Sequence, residues 1–220
     1  MEIRYLGHSA FLIKNRSLKI VTDPFDPDMT GLKYKKQGAD VVTISHQHND
    51  HNFTEKENSA ELKLSLPGEY EINKVSITGY PSFHDNSNGS ERGKNTIFKF
   101  VIDEKSILHC GDLGHTLSDD LIDEIGSIDI LLIPVGGVYT IGPQEAIKVI
   151  NQVEPKVIVP MHFRTNKHNS KIFGQLKTIN EFLFEYGINE DSVEQLDKLT
   201  DTDITNDDEK KVVLLNPVYE

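Results

Sequence analysis

Apolar residues in this chain fall in short runs, spaced as strands more often than as helices. The first 22 residues predict three strands, Glu2 to Leu6, Ser9 to Lys14 and Leu18 to Thr22, the last two joined by the turn Asn15-Arg16-Ser17. Asp40 to Ser45 is a β-branched apolar run expected to be a buried strand. Residues 69–72 and 75–80 alternate as a hairpin about Asn73-Lys74, and the second strand runs on toward Phe83-His84. Thr96 to Ile102 and Ser106 to Cys110 form a further strand pair around Asp103-Glu104-Lys105.

Helical spacing is confined to four stretches. Thr54 to Glu61 opens with Thr54 and Glu57 at capping-box separation. Ser118 to Ile125, Pro143 to Val153 and Lys177 to Tyr186 follow, with inner strands at Asp129 to Val135 and Lys156 to Pro160 between them. Val212 to Leu215 predicts a last strand. The length fits a single domain over residues 1–220, in which two strand-rich halves, roughly 1–110 and 111–220, are suggested. No internal repeat of fixed period is visible. Pro24 to Ala39 is expected to be a solvated connection.

Net charge is −12, and residues 187–209 hold nine acidic residues against Lys198 alone, so that segment carries −8 and the remainder −12 − (−8) = −4. The acidity is local, and the segment predicts a surface excursion. A mildly acidic body argues against nucleic acid, which requires clustered Lys and Arg. The one cysteine, Cys110, rules out an intramolecular disulfide and reads as a small buried apolar residue. No run approaches the ~20 apolar residues of a membrane span, so a soluble cytoplasmic protein with no membrane partner is expected.

The chemistry enters at His46-Gln47-His48-Asn49-Asp50-His51, where a predicted strand ends. Side chains alternate along extended chain, so His46 and His48 can converge on one ion. His51 breaks the alternation, and Asp50 with His51 are assigned to a second, adjacent ion. His84 follows another strand end and supplies a third imidazole to the first ion. His162, after the strand at 156–160, completes the second, and Asp112 has the two carboxylate oxygens needed to reach both. Two divalent cations are expected, zinc first, with Mn or Fe fitting the same donors. Asp23 either holds a ligand histidine from behind or is an ordinary turn former before Pro24. Asp112, His115 and His8 are the candidate proton donors to a leaving group, the two histidines being otherwise a loop residue and a sheet cap. Arg92, Lys94 and Arg164 are candidate contacts to an anionic group, or else solvated loop charges.

The ordered set His46-x-His48-x-Asp50-His51, His84, Asp112 and His162 resembles the metallo-β-lactamase superfamily over essentially the whole chain. The phrases Tyr5-Leu-Gly-His-Ser-Ala-Phe-Leu-Ile, Thr22-Asp-Pro-Phe, Arg92-Gly-Lys-Asn-Thr, Gly111-Asp-Leu-Gly-His and Pro160-Met-His look like its branch of zinc-dependent hydrolases that includes ascorbate-6-phosphate lactonase. The resemblance implies an α/β fold, an αββα sandwich of two mixed β-sheets flanked by helices, with the metals at one edge and Asp112 bridging them. It implies hydrolysis of an ester, lactone or phosphoester bond in a small, anionic substrate. The alternatives are a single-metal iron oxygenase, a phosphodiesterase or nuclease of the same fold, and a non-catalytic metal-binding or partner-binding module. A homo-oligomer stays open.

Overall fold

The alternating N-terminal residues form an antiparallel meander, β1 (Glu2–Gly7), β2 (Ala10–Lys14) and β3 (Lys19–Thr22), in the computed structural model, which describes residues 1–204 and 210–218. The apolar run after residue 40 adds β4 (Val41–Thr43) parallel to β3, and β5 (Leu62–Leu64) adds parallel to β4. A second antiparallel run follows: β6 (Gly68–Ile72), β7 (Val75–Phe83), β8 (Lys94–Ile102) and β9 (Lys105–His109). Asn73 and Lys74 in its first turn, and Asp103 and Glu104 in its last, have positive φ, the backbone that two-residue hairpin turns use. The chain then alternates α2 (Asp119–Ile125), β10 (Ile130–Pro134), α3 (Pro143–Val153) and β11 (Val157–Met161), and ends through α5 (Ile179–Tyr186), β12 (Glu194–Leu196), β13 (Leu199–Thr200) and β14 (Lys211–Leu215). Two short helices, α1 (Pro27–Thr30) and α4 (Ser170–Phe173), interrupt the connections.

These strands make two mixed sheets, ordered β13-β1-β2-β3-β4-β5 and β12-β14-β11-β10-β9-β8-β7-β6. Between them Ile3, Phe11 and Ile13 of the first pack on Phe98, Phe100 and Leu132 of the second, all fully buried; each such side chain contributes roughly 1.5–3 kcal/mol on leaving water. The outer face of the second sheet is covered by helices. Ala146, Val149, Ile150 and Val153 of α3 form one apolar stripe at helical spacing, and Phe182 and Leu183 of α5 pack beside it.

The outer face of the first sheet is covered differently, and here the structure departs from expectation. The segment 24–39 is not a solvated loop: Phe25, Leu32, Tyr34 and Ala39 pack on Leu12, Val21 and Val42 of the sheet. It is held down by Glu57, whose buried carboxylate accepts the backbone N–H groups of Gln37 (2.7 Å), Gly38 (3.0 Å) and Ala39 (3.0 Å) and the Tyr34 hydroxyl (3.2 Å). Glu57 therefore forms no capping box. The predicted helix at 54–61 is only a 3₁₀ turn, Thr54–Glu57, with no side-chain cap.

The acidic segment is not a simple excursion either. It supplies an edge strand to each sheet, β12 beside β14 and β13 beside β1, while its residues 205–209 lie outside the described residues. The sheets also do not divide the chain near residue 110: β1 to β5 build the first, and the chain returns to it only through β13. Among the described residues no helix is long and apolar enough to cross a membrane.

Candidate metal centre

Four strand ends deliver the predicted donors to one edge of the sandwich. His46 to His51 follow β4, His84 directly follows β7, Asp112 follows β9 and His162 directly follows β11. Their donor atoms gather in three groups within 4.8 Å: His46, His48 and His84; His46, His51 and Asp112; and Asp50, His51 and His162 together with His8. The first and third groups are the two sets assigned from the sequence, with His8 as an unforeseen member of the third. Asp112 faces both: Oδ1 lies 3.1 Å from His51 Nε2, and Oδ2 lies 3.3, 3.4 and 3.9 Å from Nε2 of His84, His162 and His46.

The backbone is bent to make this possible. His8, Asp23 and His162 are non-glycine residues with φ of 55, 41 and 53°, and such positions cost of order 1–3 kcal/mol each unless their surroundings enforce them. His162 N–H donates to the His8 carbonyl at 2.9 Å, joining two of the three. Gly136 is required beside them, since a Cβ there would lie 2.0 Å from the His162 carbonyl oxygen. Gly111 (φ 55°) is required beside Asp112, where a Cβ would sit 2.4 Å from Ser45 Cβ.

Asp23 orients one histidine of each set. Its Oδ2 accepts from His51 Nδ1 at 2.9 Å, and the same oxygen accepts the Ser45 hydroxyl at 2.5 Å. The hydroxyl proton is thereby used, so Ser45 Oγ accepts from His46 Nδ1 at 2.9 Å. The Nδ1 atoms of both imidazoles are thereby engaged, and both turn Nε2 to the centre. His8 Nε2 donates to Asp50 Oδ2 at 3.2 Å. Asn95 fixes Asp112 from behind, accepting its N–H at 3.0 Å while donating to the Cys110 carbonyl and to Ser82 Oγ. The roles of Ser45, Asn95 and the His8–Asp50 contact were not anticipated from the sequence; adjacency to His46 marks Ser45, and Asn95 is marked only by its place in the phrase Arg92-Gly-Lys-Asn-Thr.

The electrostatics demand positive charge. The ion pairs of Asp23, Asp50 and Asp112 among the described residues are all with imidazoles. Burial pushes the His46 imidazole down to about 3 and the His8 imidazole down to about 4. Burial also disfavours charge on His51 and Asp112, but there the neighbours win. The Asp112 and Asp50 carboxylates hold His51 well above its ordinary value, and His162 and His51 hold Asp112 well below the carboxylate range. Nε2 of His46, His51 and His162 and Oδ1 of Asp112 are buried with no well-aligned hydrogen bond. Unpaired buried donors converging on ionised carboxylates are the signature of a site made for a cation, and imidazole with carboxylate suits a divalent metal.

A cleft of about 440 Å³ opens on this centre, lined by His48, Asp50, His84 and Asp112, by the apolar Met29, Ile172 and Phe173 with Tyr139, and by Arg92. The apolar wall rests on α1 and α4, which the sequence did not predict and which are tied together by Asn169 N–H to the Thr30 carbonyl (2.8 Å). A second cavity, lined by His46, His48, Phe83, Arg92 and Lys94, lies beside the first. Of the three predicted anion contacts, Arg92 lines the metal cleft and Lys94 only its neighbour, while Arg164 lines neither. Arg164 sits on a separate cavity with its guanidinium on the Gly174 carbonyl. His115 is also placed away from the cleft. Its Nδ1 donates to the Thr116 carbonyl and its Nε2 accepts the Phe83 N–H, so no free proton is left to give. Cys110 is fully buried, and burial pushes its thiol far up.

A family model described as a β-lactamase superfamily domain matches residues 2–162. The chain is 30% identical over 196 residues to a UPF0173 metal-dependent hydrolase of Carboxydothermus hydrogenoformans, covering 75% of this chain and 85% of that protein. It is 30% identical over 190 residues to another of Thermus thermophilus, covering 75% and 84%. Among solved structures it is similar to a candidate Zn-dependent hydrolase of the metallo-β-lactamase superfamily from Thermotoga maritima, with a TM-score of 0.76, 37% identity and 97% of each chain covered. Human tRNase Z, short form, at 14% identity and a TM-score of 0.57 over 75% of this chain and 93% of that one, shares the fold alone. On these matches the chain belongs to the metallo-β-lactamase superfamily and, within it, to the UPF0173 metal-dependent hydrolases.

Proposed function

We propose that the protein is a hydrolase holding two divalent cations, one on His46, His48 and His84 and the other on Asp50, His51 and His162, with Asp112 serving both. The reading is carried by one observation: the buried, ionised Asp112 pairs only with imidazoles, and Nε2 of His46, His51 and His162 is buried with no aligned hydrogen bond. Zinc suits the donors first, with Mn or Fe as alternatives; the similar protein from Thermotoga maritima is described as a Zn-dependent hydrolase. When bound, such ions lower the pKa of water toward about 7 and polarise a carbonyl or phosphoryl oxygen.

The chain's own contribution is orientation and proton handling. Asp23 and Ser45 present the His51 and His46 lone pairs, and His8 steadies Asp50 rather than touching substrate. Asp112 lines the cleft and is the carboxylate placed to hand a proton to the leaving group. Arg92 receives the anionic part of a small ester, lactone or phosphoester. The lactone choice rests on the likeness to the ascorbate-6-phosphate lactonase branch. Chelator-stripped protein reconstituted separately with Zn, Mn and Fe and given ester, lactone, phosphodiester and thioester substrates tests the reading. Turnover is expected only after reconstitution, and full hydrolysis by stripped protein would overturn it.

A further inference from the structure

Arg92 is the one cation lining the metal cleft, and it is exposed. It forms no ion pair among the described residues; its guanidinium donates to the Val138 carbonyl at 3.1 Å and lies 5.1 Å from the centre of the Tyr139 ring. A guanidinium has five N–H donors, so the one hydrogen bond to Val138 leaves most of its capacity for a ligand of the cleft it lines. The carbonyl that receives it belongs to a β-branched residue with φ of 62°, a costly conformation that the surrounding contacts impose. Tyr139 is fixed in turn by its hydroxyl on the Ile172 carbonyl at 2.8 Å.

The loop that carries Arg92 is built on Asp85, the residue after His84. The Asp85 carboxylate is buried and accepts four backbone N–H groups: Ser87 and Gly89 on Oδ1, both at 2.8 Å, and Glu91 (3.0 Å) and Arg92 (2.7 Å) on Oδ2. His84 N–H donates to the Gly93 carbonyl at 3.0 Å, closing the loop across its base. Gly114 lies so close beneath that a Cβ there would be 2.2 Å from Asp85 N. One carboxylate therefore fixes both ends of a short path, with a proposed metal ligand at its start and the cleft's cation at its end.

We propose that Asp85 is a positioning residue that folds residues 86–92 into a clasp and holds the Arg92 guanidinium over the cleft, selecting substrates with an apolar body and a carboxylate or phosphate group. The apolar body is set by Met29, Tyr139, Ile172 and Phe173, which line the same cleft as the donor residues. The anion is set by the fork of Arg92, which matches carboxylate and phosphate oxygens in pairs. This inference rests on the metal-centre reading for the place of the cleft, not for the anion contact.

The test is titration calorimetry of the metal-loaded full chain with benzoate, phenyl phosphate and neutral benzamide, with metal content measured for every variant. Benzoate and phenyl phosphate should bind better than benzamide, and the preferred one of the two identifies the anion. Arg92→Gln should weaken anion binding about 10- to 100-fold while leaving benzamide unchanged, and Arg92→Lys should restore part of the loss. Asp85→Asn should reproduce the Arg92→Gln loss at unchanged metal content. Asp85→Ser, which keeps an acceptor for fewer N–H groups, serves should the asparagine variant fail to fold, with an intermediate loss expected. Undiminished anion affinity in Arg92→Gln would overturn the proposal, as would an Asp85 variant that loses metal but keeps its preference for anions. Anion binding that follows Arg92 in a protein that hydrolyses nothing would leave this inference standing and remove the hydrolase reading.

Discussion

Glu57 and Asp112 are both buried carboxylates, but the chain compensates them in opposite ways. On the outer face of the first sheet, Glu57 takes three backbone N–H groups and a tyrosine hydroxyl, and its charge is answered within the protein. At the edge of the sandwich, Asp112 faces four imidazoles whose nitrogens are themselves short of partners. The first arrangement lets irregular backbone cover a sheet where a helix would otherwise be needed. The second leaves a deficit that a cation fills. A buried charge satisfied by the chain is structure; one left facing lone pairs is a binding site.

The contrast is broken most severely at its charged end. Asp112→Asn should abolish turnover and lower metal content well below that of the unaltered protein, as measured by elemental analysis and by initial rates on any substrate the panel identifies. Glu57→Gln turns one acceptor oxygen into a donor facing backbone N–H groups, so a loss of about 2–4 kcal/mol in urea unfolding is expected, with metal content unchanged where the protein is folded. If instead the glutamine variant lost metal at full stability, the two carboxylates would not be separable as argued.

Adding divalent metal to stripped protein should stabilise it by roughly 2.7 kcal/mol at a hundredfold excess over Kd, seen as a rise of about 5–10 °C in Tm. No rise with any of Zn, Mn or Fe would count against the cation deficit. Asp23→Asn removes the acceptor that orients His51 and, through Ser45, His46. Metal affinity should fall about 10- to 100-fold, measured by competition with a chromophoric chelator.

The smallest effect concerns acid. Burial pushes the His8 imidazole down to about 4 and the His168 imidazole down to about 3, whereas both titrate near 6.5 when unfolded. The unfolded chain thus binds more protons in this window. Their contribution is fully present above pH 6.5 and is lost progressively as pH falls through about 4 toward 3. The urea midpoint of stripped protein should follow that slope, and His168→Gln should flatten it without changing metal content.

Most of the donor set could be read from the chain because each member stands at the end of an apolar run, and such ends converge when runs become neighbouring strands. Helix α3 was equally legible, since its stripe at residues 146, 149, 150 and 153 is periodic. The capping box at Thr54 was not real, because its spacing is shared by a residue whose carboxylate serves a segment some twenty positions earlier. Arg164 and Arg92 look alike in the sequence; only the clasp on Asp85 brings one of them over the cleft.

The chain by itself determined which residues are chemically equipped and which runs are strands, because alternation and donor type are local properties. The three-dimensional fold alone decided that His8 joins Asp50, that Asn95 holds Asp112 and that segment 24–39 becomes a wall. The first two outcomes depend on contacts between residues 42 and 17 positions apart, and all three are set by the packing of two sheets and by the need of each buried polar group for a partner.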